Sequence, residues 1–239
     1  MTESKPLEGR TALVTGASKG IGAATAQALA AAGAHVIVTA RDVKGLEAVE
    51  DAIHDAGGTA TIAPVDLTET DGIARLASAL ASRWDRLDIM IIAAAYLPSL
   101  GPVAQIDGKE WSRAITVNLL ASQALLASFD SLLKRAAAGR VIGLTSSVAA
   151  KPRAYWGAYA ATKAGFENIL QSYGQEVATI SPVRVAVIDP GATRTQMRAR
   201  AYPGEDPKSV KDPAVVADRL VSLLVADFAN GYSERIEGR

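Results

Sequence analysis

The chain has 239 residues, 49% hydrophobic and 21% charged, a balance that fits a folded globular protein and excludes a disordered one. Its 25 basic and 25 acidic residues cancel, so no general attraction to nucleic acid or to an anionic membrane surface is expected. There are no cysteines, which excludes disulfides and thiolate zinc sites.

TALVT (11–15) is a short apolar run that predicts a strand entering a glycine-bearing turn, and 20–32 reads as an alanine-rich helix closed by Gly33. HVIVTA (35–40) predicts the second strand, and Asp42 is placed to N-cap a helix ending near Gly57–Gly58. TATIAPV (59–65) is a third strand, followed by TETD (68–71), which has the form of a capping box opening a helix through Trp84. DIMIIAAA (88–95) is a buried-strand run; Asp107 with Glu110 predicts the start of a long helix through Ala138. RVIGLTS (140–146), a helix over 157–179 and VRVAVI (183–188) continue the alternation. Asp212–Pro213 sets an N-cap and a first-turn proline for a helix to about Phe228, and YSERI (232–236) reads as a last edge strand. Continuously apolar strands spaced by helices predict one α/β domain, 1–239, with a mostly parallel seven-stranded sheet, doubly wound and covered on both faces.

The two histidines, His35 and His54, stand far apart without carboxylates at ligand spacing, so no metal site is expected. The first ten residues lack the apolar run of a signal peptide. No apolar stretch reads as long enough to span a membrane; 88–98 is too short and is bounded by Asp88. A cytoplasmic protein is the expectation.

TGASKGIG (15–22) lies between the first strand and the first helix. Glycines at 16, 20 and 22 remove side chains that would keep a phosphate from the backbone, and the helix start offers unpaired N–H groups. The same spacing would serve a turn needed only for close packing; its place as the first βα turn points to a dinucleotide. An acidic residue at the end of the second strand would bind a ribose 2′-hydroxyl. Here Ala40 and Arg41 stand there, with Lys19 in the turn, a pattern that favours NADP(H) over NAD(H). Asp66 ends the third strand where an adenine amino group would lie.

Across 9–238 the chain resembles the short-chain dehydrogenase/reductase family. The glycine turn matches its T-G-x-x-x-G-x-G, Asp66 its adenine-contacting aspartate, and Asn118 its catalytic asparagine. Tyr159 and Lys163 in YAATK match Y-x-x-x-K, and PGATRT (190–195) matches P-G-x-x-x-T, whose backbone and Thr195 would hold the nicotinamide carboxamide. GYSERIEG (231–238) has the spacing of the family's last strand, so the terminal IEGR, a tetrapeptide also known from protease sites, is read as native. The resemblance implies a Rossmann fold and a cofactor site made of Gly16, Ser18, Lys19, Gly20, Ile21, Gly22, Arg41, Asp66, Ala94, Tyr159, Lys163, Pro190, Gly191 and Thr195. It also implies catalysis by Asn118, Ser147, Tyr159 and Lys163. The serine usually stands thirteen residues before the tyrosine, which is Ser146, but the pattern S-S-V-A points to Ser147; Ser146 is kept as the alternative.

A tyrosine of pKa about 10 is a poor base near neutrality, and Lys163, one turn away, is expected to lower that pKa. Lys163 would also bind the nicotinamide ribose, Ser147 would donate to the substrate oxygen, and Asn118 would hold a relay water. Tyr155 is assigned to the wall of the substrate cleft or to packing, and Trp84 and Trp111 to core or interface. The chain departs from the family at the end of the fourth strand, where Ile92, Ala93, Ala94 and Ala95 replace N-N-A-G. Alanine cannot make the asparagine's side-chain ties between the central strands, and Ala95 adds a methyl group beside the adenosine ribose. The readings are therefore an NADP(H)-dependent reductase of carbonyls or dehydrogenase of alcohols, and, as the alternative, a non-catalytic dinucleotide-binding sensor or subunit. An isomerase or epimerase would need an extended substrate domain for which no residues remain. The substrate pocket is expected from Tyr96–Leu100, Lys151–Trp156 and the segment after Thr195, where Arg198 and Arg200 would face an anionic substrate or water. Helices 108–138 and 157–179 would pair chains into a homo-dimer or homo-tetramer.

Overall fold

The computed structural model of the chain describes residues 5–238. Residues 1–4 and Arg239 fall outside the described residues, and with them the two ends of the expected 1–239 domain and the last position of IEGR. Seven strands, β1 Thr11–Thr15, β2 His35–Thr39, β3 Thr59–Ile62, β4 Ile89–Ile92, β5 Arg140–Leu144, β6 Arg184–Asp189 and β7 Tyr232–Arg235, form one sheet in the order β3-β2-β1-β4-β5-β6-β7. Each neighbouring pair runs parallel, β6 and β7 included.

Both faces of this sheet are covered, which is why its strands read as unbroken apolar runs. Val14, Val38, Ile91 and Ile188 point to one face, against helices α1 Gly20–Ala31, α2 Val43–Asp55 and α9 Pro213–Ala226. Leu13, Ile37, Met90 and Val187 point to the other, against α3 Gly72–Ala81, α5 Ala121–Arg135 and α7 Gly157–Val177. The remaining helices are α4 Gly108–Ile115, α6 Ser147–Ala150 and α8 Gln196–Ala201. Gly143 lets α7 lie close on β5: a Cβ there would stand 2.2 Å from Leu170 Cδ1 and 2.6 Å from Phe166 Cζ. The C-terminal segment is part of the core, since Ile236 is buried and its carbonyl accepts from the buried Lys211 Nζ at 3.0 Å.

Several local expectations change. TETD does not form a capping box: α3 starts at Gly72, its N-cap Asp71 makes no side-chain bond, and Asp66 Oδ1 instead accepts from the backbone and hydroxyl of Thr68. Helix α3 ends at Ala81, short of Trp84, which stacks on His35. Asp107 does cap α4, but Glu110 turns away to Tyr96 and Ser99. The long helix holds a π turn, Thr116–Leu120, between α4 and α5, and ends at Arg135. The helical run Gly108–Arg135 corrects another expectation: its 28 residues are long and apolar enough to cross a membrane by length and composition. In the fold, Leu125, Phe129 and Leu133 from it are buried against the sheet.

At the end of β4, where the family's asparagine is missing, the chain is tied to β1 by Thr15. Thr15, fully buried at the end of β1, accepts the backbone N–H groups of Ala93 and Ala94 on its hydroxyl, at 3.1 Å each, and donates to the Ile91 carbonyl at 3.4 Å. Thr15→Val keeps the shape and removes these bonds, and is expected to cost about 1–3 kcal/mol of stability. Thermal unfolding of the two forms checks it; an unchanged midpoint would mean the two amides find other partners.

Candidate active site

Beyond the carboxyl ends of β1 to β6 lies one cleft of about 640 Å³. It opens at the β1–β4 boundary, where the strand order reverses and ligands of open parallel sheets bind.

On its phosphate side, Gly20, Ile21 and Gly22 begin α1, whose N-cap Lys19 makes no side-chain cap bond. The first-turn amides are thus left to a ligand, at the positive end of the helix dipole. The turn closes only without side chains: Gly16 has φ +67°, and a Cβ there would stand 2.8 Å from Ala94 Cα; one on Gly22 would stand 2.3 Å from the Gly16 carbonyl oxygen. These features fit a dinucleotide pyrophosphate. Ser18 and Lys19 line the same wall, and Lys19 Nζ reaches across to Gln196 Oε1 at 3.0 Å.

At the adenosine end stand Arg41, Asp66 and Ala94. Asp42 is taken up as the N-cap of α2, accepting from Gly45 N, so it does not offer its carboxylate as a ribose acceptor. Arg41 lies 3.8 Å from Asp66. Burial pushes the Asp66 carboxyl up, but the Thr68 hydrogen bonds and the charges of Arg41 and Arg113 hold it below its ordinary value. Thr39 Oγ1, beside Ala40, is the one buried side-chain polar atom without a hydrogen-bond partner among the described residues.

Helix α7 carries Tyr159 and Lys163 one turn apart into the far wall. Tyr159 is 6% exposed, and its hydroxyl bonds to no group among the described residues. Burial first, and the Asp189 carboxylate second, push its pKa up. This corrects the expectation that Lys163 lowers it. Lys163 Nζ instead donates to the Leu144 carbonyl at 2.7 Å and lies 4.4 Å from the Phe166 ring centroid. Its pKa is pulled down to about 8 by burial, with Glu167 opposing. Glu167, one turn further along α7, accepts from Thr145, a cleft residue, at 2.5 Å.

Asn118, Ser147 and Gly191 are not in the lining of this cleft. Asn118, 1% exposed in the π turn, accepts from Tyr96 N at 2.7 Å and donates to Tyr96 O and Thr162 Oγ1 at 2.9 Å each, so its carboxamide holds the β4 loop to α7. Ser147 begins α6 and Ser146 is its N-cap; both are half-buried, and after β5 the wall itself is Leu144 and Thr145. Gly191, at φ +63°, is backed by Lys211 Nζ and the Ile236 carbonyl, while Pro190 and Thr195 face the cleft.

The substrate side is apolar and aromatic. Leu97 and Val148 pack with the Tyr159 ring, joined by Leu100, Trp156, Met197 and Ala201. Arg198, half-buried, pairs with Glu205 and lies over Tyr202, while Arg200, exposed to water, donates to the Leu97 carbonyl. Tyr202 in turn packs on Trp156 and bonds Arg153, so α8 is fastened over the Tyr159 region. Tyr155 is 61% exposed with φ +72°, outside this packing. Sequence reasoning missed Arg113, Thr145 and Gln196, which line the cleft beside neighbours distant in the chain. A cation five positions before Asn118 was the one visible signal.

The family model described as short chain dehydrogenase matches residues 10–206. The oxidoreductase YciK of Escherichia coli (strain K12) is 36% identical over 224 residues, covering 92% of this chain and 88% of that protein. A short chain dehydrogenase from Shigella flexneri 2a str. 301, solved in complex with NADP, superposes with TM-score 0.92 at 33% identity, over 98% of this chain and 99% of that one. Another, from Escherichia coli CFT073 in complex with NADPH, gives TM-score 0.92 at 34% identity, over 98% of both chains.

Proposed function

The chain belongs to the short chain dehydrogenase family of oxidoreductases, and on that footing we propose that it transfers a hydride between NADP(H) and a carbonyl or secondary alcohol. The observation that carries this reading is the buried Tyr159–Lys163 pair in the wall of a cleft whose opposite wall is the uncapped start of α1. NADP(H) supplies the hydride. Tyr159 donates the proton to the substrate oxygen; a phenol kept protonated by burial suits reduction of a carbonyl. Ser147 donates a hydrogen bond to the same oxygen, Lys163 holds the nicotinamide ribose, and Asn118 keeps the β4 loop in register with α7 and serves the proton relay. The apolar Leu97, Val148 and Met197 suit a small, uncharged substrate region. We place the enzyme in the cytoplasm, as a homo-dimer or homo-tetramer paired through the helices of 108–138 and 157–179, where Leu120 of the π turn is 56% exposed. The alternative of a sensor or subunit drew on Ala93–Ala95; because Asn118, Ser147, Tyr159 and Lys163 are all present, the catalytic reading is preferred.

Preference for NADP(H) is supported by Arg41 and Lys19 on the rim and by NADP and NADPH in the two related structures. Parallel fluorescence titrations with NADPH and NADH test it. Wild type is expected to bind NADPH about tenfold or more tighter, and Arg41→Gln to erase most of that margin, a charge-assisted phosphate contact being about 1.5–3 kcal/mol. Equal affinities would overturn the 2′-phosphate assignment, and binding of neither would overturn the oxidoreductase reading.

A further inference from the structure

Resting on the dinucleotide reading, we propose that Arg113 is a further cofactor ligand, laying its guanidinium on the adenine from the wall opposite Arg41. Arg113 stands on α4, one turn before Val117, and both line the cleft with Asp66 and Leu67. Its charge reaches Asp66, whose carboxyl it helps to keep ionised together with Arg41. Asp66 thus feels two arginines from different elements, Arg41 after β2 and Arg113 on α4.

Arg113 has no ion pair or hydrogen bond among the described residues. Its natural partner on the same helix, Glu110, is taken: one carboxylate oxygen accepts from the Tyr96 hydroxyl at 2.9 Å and the other from Ser99 N at 2.7 Å. What Arg113 has is a ring, its guanidinium carbon lying 4.8 Å from the Tyr96 centroid. A guanidinium is planar and stacks on both faces. With Tyr96 on one face, the other is left for a base, so Tyr96, Arg113 and the adenine form one stack. Arg200, 5.9 Å from the same Tyr96 ring, is tied by its bond to the Leu97 carbonyl and serves the substrate end instead.

This assignment differs from that of Arg41 in what it recognises. Arg41 reads the 2′-phosphate, so its loss separates NADPH from NADH. Arg113 reads the base, which both cofactors share.

The test is titration of wild type, Arg113→Met and Arg113→Lys with NADPH and with NADH, and competition of bound NADPH by 5′-AMP. Arg113→Met is expected to weaken all three by a similar factor, about fivefold for a cation–π contact at an exposed site. Arg113→Lys, a point charge without a plane, is expected to recover little. An unchanged 5′-AMP affinity in Arg113→Met overturns the proposal. So does a loss confined to NADPH, or full recovery by lysine, since each would make Arg113 a phosphate-side charge. Failure of the wild type to bind either dinucleotide would instead overturn the dinucleotide reading itself, and this inference with it. The side chain is exposed, so an unchanged thermal midpoint verifies that the variants are folded.

Discussion

Tyr159→Phe is expected to lower turnover by about 10²–10⁴-fold while leaving NADPH affinity within about twofold, the range expected for losing a general acid without losing a binding surface. The phenylalanine ring keeps the packing against Leu97, Val148 and Trp156. What disappears is one hydroxyl that makes no internal bond, so the fold gives up little and the chemistry gives up its proton. Burial holds that proton on the oxygen near neutral pH, which makes Tyr159 a donor ready for a developing alkoxide. Steady-state rates with a panel of small uncharged ketones, beside NADPH titration of both forms, check this. Full activity in Tyr159→Phe would sink the assignment, and so would an equal loss in Tyr155→Phe, since Tyr155 is exposed and stands outside the Tyr159 packing.

The second large effect belongs to Asn118→Ala, and it appears in stability as well as rate. The carboxamide makes three hydrogen bonds from a nearly sealed position, two to the backbone of Tyr96 and one to Thr162. Thr162 passes the connection on to the Tyr159 carbonyl at 2.8 Å. Truncation leaves buried donors and acceptors unpaired at about 1–3 kcal/mol each, so a total near 3 kcal/mol is expected, and a midpoint lower by roughly 6–12 °C. Because Tyr96 begins the loop beside the cofactor cleft, NADPH affinity is expected to fall with it. A midpoint within about 1 °C of wild type would show that the loop is held by other means.

Most of the fold could be read from the chain because the sheet buries both its faces. TALVT, HVIVT and IMII are apolar without alternation, and the expected strands contain them. The reading fails where apolar composition continues past the end of pairing. Ala93–Ala95 look like strand, yet β4 ends at Ile92 and the alanines pass beside the glycine turn. Capping patterns misled for a similar reason: Thr68 and Glu110 stand at cap spacing, but Asp66 and Tyr96 claim them first. Nothing in residues 116–120 announces a π turn, since the extra residue changes no periodicity visible over five positions. The site was legible as a set of motifs but not as electrostatics. Spacing places Lys163 beside Tyr159; only the fold reveals that the Leu144 carbonyl holds the ammonium and that burial pushes the Tyr159 pKa up.

The Thr15 bonds have a bearing on how the molecule assembles. Its hydroxyl and the two amides it receives are 78 and 79 positions apart in the chain, and no hairpin joins any pair of neighbouring strands in an all-parallel sheet. Contacts of such separation form only after long loops have closed, which places the cleft floor among the late events of folding. Once formed, that floor cannot open locally, because the strands on either side are central in the sheet. The cleft therefore rests on a base tied between distant parts of the chain, under a rim that carries exposed side chains such as Lys19 and Arg113.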